Sequence, residues 1–124
     1  MNRLLNTLAA AAAVLALNTA HAHGPGEAKH GGIVQSANDL GFELVAKDGN
    51  ATLYVEDHGK PFAVQGTTGK LTVLNGSDKS EAELTPAGDN KLEAKGVKLN
   101  AGAKVVAALT LPSKKVVTVR FTVK

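Results

Sequence analysis

The chain has no cysteine and no tryptophan, and its only methionine is Met1. Without cysteine there is no disulfide to staple a small fold, no thiol nucleophile and no attachment point for a bacterial lipid anchor. The same absences remove the soft sulfur ligands that favour Cu(I). Aromatics are scarce as well: Phe42, Tyr54, Phe62 and Phe121 are all there are. Strand patterning accounts for three of them, so no base-stacking platform is expected, and the core must be built from Val, Leu and Ala. A charge excess is also lacking. Removing Arg3 from the formal total of +3 leaves +2 over residues 23–124, with lysines and carboxylates interspersed rather than grouped. Nucleic acid, which calls for a basic stripe, is therefore not an expected partner. A length of 124 residues fits one domain.

What is present begins with export. Residues 1–22 have the plan of a secretory signal: a positive charge at Arg3, an apolar run from Leu8 to Leu17, and Ala20-His21-Ala22 as a small-x-small cleavage site. The apolar run falls well short of the roughly 20 residues that a membrane-spanning helix needs. The expectation is a soluble periplasmic protein whose first residue after cleavage is His23.

Residues 23–32, with four glycines and no apolar periodicity, predict a flexible arm. From Ile33 onward the pattern changes to short stretches in which apolar and polar residues alternate, with turn signals between them. Leu40, Phe42, Leu44 and Ala46 point one way, and Val45 is the one apolar exception on the other face. Asp48-Gly49-Asn50 then turns the chain into Ala51, Leu53 and Val55, which predicts a hairpin. Asp57-His58-Gly59-Lys60 is a further turn, and a weak strand is expected near Phe62 to Gln65. Alternation continues over 70–74, 82–84, 92–94 and 117–123. The run Lys104–Leu111 is apolar enough to suggest a central strand covered on both faces. Seven to eight short strands without a helix predict an all-β domain over 33–124, an antiparallel β-sandwich of immunoglobulin-like type. The alternative is a small β-barrel.

The candidate chemistry lies with the histidines His23, His30 and His58. A mature N-terminal His23 would offer its α-amine and ring Nδ1 to one metal ion, and His30 could fold back along the glycine-rich arm to add a third nitrogen. Nitrogen donors without sulfur suit copper(II), zinc or nickel. His58 lies beside Glu56 and Asp57, and Asp57 is a further candidate ligand. The competing reading leaves the arm histidines solvated, with His58 an ordinary turn residue and Asp57 accepting amide N–H groups of its own turn. Catalysis is not expected, because the serines lie in loops or at strand ends without an evident histidine partner.

His30-Gly31-Gly32, Phe42-Glu43-Leu44-Val45, and Leu53-Tyr54-Val55 leading into Asp57-His58-Gly59-Lys60-Pro61 resemble a small β-sandwich region of periplasmic adaptor subunits of heavy-metal efflux pumps. They also resemble small stand-alone periplasmic proteins of proteobacteria. The resemblance covers about two-thirds of the expected mature chain and implies a domain that binds or senses metal ions. His30 and His58 are the carried-over positions, and an efflux adaptor is the implied partner. The chain lacks the hairpin and barrel regions of a full adaptor, so it could not bridge a pump alone. The leading expectation is a divalent-metal-binding accessory protein, a monomer or weak dimer. The alternative is a metal-free periplasmic interaction module or surface antigen, using a sheet edge or the lysine-bearing outer face.

Overall fold

Where apolar and polar residues alternate in the sequence, the backbone is extended, and most of the apolar set faces inward. The computed structural model describes residues 26–124. The expected signal segment and His23 lie outside these residues. The strands are β1 (Ile33–Ala37), β2 (Leu40–Lys47), β3 (Asn50–Asp57), β4 (Lys60–Pro61), β5 (Thr68–Asn75), β6 (Asp78–Pro86), β7 (Lys91–Ala94), β8 (Lys104–Thr110) and β9 (Val116–Thr122). There is no helix among the described residues, and every strand pairing is antiparallel. The described residues are all-β.

The strands follow one hydrogen-bonded path, β1-β2-β3-β7-β6-β5-β8-β9, with β4 a short addition to β3. The long strand β6 turns the corner: from Asp78 to Leu84 it pairs with β5, and through Thr85 and Pro86 it pairs with β7. The two ends of the path, β1 and β9, approach within 8 Å between Cα atoms without a ladder joining them. The result is an antiparallel sheet nearly closed into a barrel. Phe42 and Leu44 of β2, Leu53 and Val55 of β3, Leu71 and Val73 of β5, and Val117 and Phe121 of β9 meet in a single core, each at most 2% exposed. At about 1.5–3 kcal/mol for each fully buried aliphatic side chain, this core is the main force opposing chain entropy, since no disulfide assists.

The hairpin expected between 40 and 57 forms in register, with Phe42 opposite Val55 and Leu44 opposite Leu53. Asp48 (φ +51°) and Gly49 (φ +79°) supply the two positive φ angles of its turn. Three local expectations need correction. Ala46 is exposed, because β2 runs past the core at that end. Residues 62–65 are not a strand, although the Phe62 amide donates to the Val55 carbonyl (3.0 Å) and the Val64 amide to that of Asp89 (3.0 Å). β8 lies between β5 and β9 but buries one face fully, with Val106 and Ala108 half-exposed on the other. Ile33–Ala37 is a further strand, ahead of the first one placed by residue from the sequence.

Candidate functional site

Strand register sets a row of side chains across the outer face. Val34 of β1 lies opposite Glu43 of β2, Glu43 opposite Tyr54 of β3, and Tyr54 opposite Lys91 of β7. Alternation puts Glu43 on the side away from the core, yet it is only 6% exposed. The cover is the segment just before β1, which lies across β2. The amide N–H groups of Lys29 (3.0 Å), His30 (2.8 Å) and Gly32 (2.8 Å) all donate to the Glu43 carboxylate. Within the expected arm, Lys29–Gly32 is thus fastened to the sheet by one side chain. The Lys29 ammonium reaches Glu56 on the neighbouring row at 2.7 Å.

Gly32 permits this approach. A Cβ at that position would meet the Leu44 carbonyl oxygen and lie 2.8 Å from Val45 Cγ2. The outward-facing Val45 therefore has a cover, which explains an apolar residue on that face.

His30 completes the arrangement. Its Nδ1 lies 3.0 Å from Glu43 Oε1, and its ring stacks on Tyr54 with centroids 3.7 Å apart and planes 3° from parallel. The Lys91 ammonium stands 6.0 Å from the centre of the same Tyr54 ring. Burial alone would push the Glu43 carboxyl up, but the Gly32 amide, the His30 ring and the amides of His30 and Lys29 together hold it below the usual carboxylate range. An ionised carboxylate only accepts, so the hydrogen of the neutral imidazole sits on Nδ1 and Nε2 carries the free lone pair.

Asp57 and His58 form a second pair of the same kind, with Nδ1 2.6 Å from Asp57 Oδ1. Here the His58 side chain is 75% exposed and that of Asp57 49%, against 41% for the side chain of His30 and 8% for that of Glu43. The second pair is open to water on most sides, whereas the first is held by stacking and three amides. Asp57 stands behind the His58 ring, so its engaged oxygen orients that histidine.

The sequence-predicted residues thus divide into two places: His30 over Glu43 and Tyr54, and His58 with Asp57 in the β3–β4 turn. No group of three or more His, Asp or Glu residues converges in a geometry suited to a metal ion among the described residues. Glu43 and Tyr54 were not singled out from sequence, and the available signal was Val45 beside Glu43, an apolar outer residue that requires a cover. The chain matches no protein-family model, no curated protein and no solved structure.

Proposed function

We propose that this is an exported accessory protein that holds a divalent metal ion through His30. The observation carrying the reading is the buried Glu43 carboxylate behind His30 Nδ1, which leaves Nε2 as the free donor of a ring that is partly exposed. A carboxylate behind a ligating histidine fixes its tautomer, aims its lone pair and raises its basicity. Tyr54 beneath the ring restricts its rotation. Upstream, His23 supplies the remaining nitrogens once cleavage after Ala22 exposes its amine, so the chelate closes between the chain start and the fastened part of the arm. An all-nitrogen set with water suits copper(II), zinc or nickel. His58, with Asp57 behind it, is a second and weaker point of attachment. The implied role is holding the ion in the periplasm for a metal-efflux or resistance system.

The test is a Cu(II) and Zn(II) titration of residues 23–124 followed by amide NMR. The expected outcome is that resonances of residues 23–32 and the amides around Glu43 and Tyr54 move at stoichiometric metal. Unchanged affinity in a His23, His30 and His58 triple alanine variant would falsify the reading.

A further inference from the structure

The unjoined ends of the sheet form the other marked surface. A groove of about 870 Å³ runs over the seam between β1 and β9, walled on one side by Gly32 to Gln35 and on the other by parts of β8 and β9. Lys104, Arg120 and Lys124 stand in the groove, and no Asp or Glu side chain lines it. Elsewhere on the surface, Lys29, Lys70 and Lys79 each lie against a glutamate. The three groove cations form no ion pair among the described residues, and the Lys104 ammonium has only the Thr122 hydroxyl, at 3.3 Å.

We propose that this seam is a docking groove for an extended acidic segment of another polypeptide. A groove flanked along its length by two strands suits an extended backbone, and the uncompensated cations call for carboxylates. The Cα approach within 8 Å is less than the roughly 9.5 Å that an interposed strand would need, so the segment lies over the seam rather than within it. A nucleic acid would find phosphate contacts here but no stacking surface. The groove's one aromatic, Phe121, is 2% exposed and belongs to the core. Gly32 is common to this surface and to the segment that carries His30, but Arg120 and Lys124 form no hydrogen bond or ion pair with that segment, so variants at these two positions test the groove separately from the metal reading.

The experiment uses the full chain and two fluorescent peptides of about ten residues, one alternating Glu and Val and the other alternating Lys and Val, read by anisotropy and amide NMR. The Glu peptide is expected to bind in a salt-sensitive way and to move amides of residues 33–37 and 116–124, while the Lys peptide does not bind. An R120E/K124E variant should weaken binding about tenfold or more, R120Q/K124Q less in the same direction, and K70E not at all. Binding that is unaffected by R120E/K124E, that maps to other amides, or that is absent at millimolar peptide overturns the proposal. So does equally effective displacement by inorganic phosphate, which would make the groove a small-anion site. Single-stranded oligothymidylate binding that is lost in R120E/K124E, in place of peptide binding, overturns it in favour of nucleic acid.

Discussion

His30 lies flat on Tyr54, 3.7 Å between ring centres, while its Nδ1 faces Glu43 at 3.0 Å. One aromatic and one buried carboxylate thereby fix both the plane and the rotation of a histidine that lies outside any strand. Tyr54 is the only tyrosine and there is no tryptophan. The intrinsic ultraviolet emission of the protein therefore reports on this stack.

Glu43 is the hub through which the segment before β1 is held, so its loss should be felt in two observables. Glu43→Ala removes the acceptor of three amides and of the His30 ring. The amides can regain water if the segment lifts away, which caps the cost at about 1–3 kcal/mol. A lower urea midpoint with little change in slope, together with altered Tyr54 emission, is the expected result. A variant that unfolds at the wild-type midpoint with wild-type emission would show that Glu43 fastens nothing.

Acid should release the same segment. The Glu43 carboxyl is held below its usual range in the fold, so its protonated form is favoured in the unfolded chain relative to the native one. Its stabilising contribution is therefore complete above the unfolded carboxyl pKa of about 4.3 and lost as pH falls through the lower folded value. Amide exchange at His30 and Gly32 should accelerate in that acidic window. Glu43→Gln, which cannot ionise, should lack this step. A step that persists in Glu43→Gln belongs to another group.

Gly32→Ala tests the close approach directly. The added methyl would meet the Leu44 carbonyl oxygen and Val45 Cγ2, so the segment must shift outward from β2. A destabilisation of about 1–3 kcal/mol is expected, in line with overpacking at a rigid contact. Tyr54 emission should change as it does in Glu43→Ala. Gly31→Ala makes no such contact, and its penalty comes from the φ of +73° alone.

The β2–β3 hairpin was legible because alternation and an Asp-Gly turn are local signals read within a few residues. β1 was not, because its exposed centre, Gln35 and Ser36, breaks the pattern, and it owes its position to pairing with β2. The histidines were legible as residue types, but their surroundings were not. The contact between His30 and Glu43 spans 13 residues and joins backbone amides to a side chain, which no periodicity encodes. A glutamate at an outward strand position reads as solvated until something is known to cover it. Val45 was the trace of that cover.

His58 has φ +53° in the β3–β4 turn, followed by Gly59 at +82°. Left-handed backbone costs an ordinary residue about 1–2 kcal/mol, and asparagine tolerates it better than most. His58→Asn should therefore leave thermal stability unchanged or slightly raised, whereas the β-branched His58→Val should lower it. A loss of stability in His58→Asn comparable to that in His58→Val would mean that the Asp57–His58 contact outweighs the turn geometry.

The two histidines can be told apart by light. An ion on His30 Nε2 lies one ring away from Tyr54, while His58 sits in the β3–β4 turn, outside the stack. Bound Cu(II) quenches a neighbouring fluorophore, so substoichiometric copper should quench Tyr54 in the wild type and in His58→Ala but not in His30→Ala. Acid should reverse the quenching, because a protonated imidazole cannot ligate. Glu43→Gln should weaken copper binding about 10–100-fold while leaving the ligand itself in place, the magnitude usual for loss of a carboxylate behind a metal-bound histidine. Equal quenching in His30→Ala and wild type would place the ion elsewhere. The Glu43 contact would then serve only to hold the chain against β2.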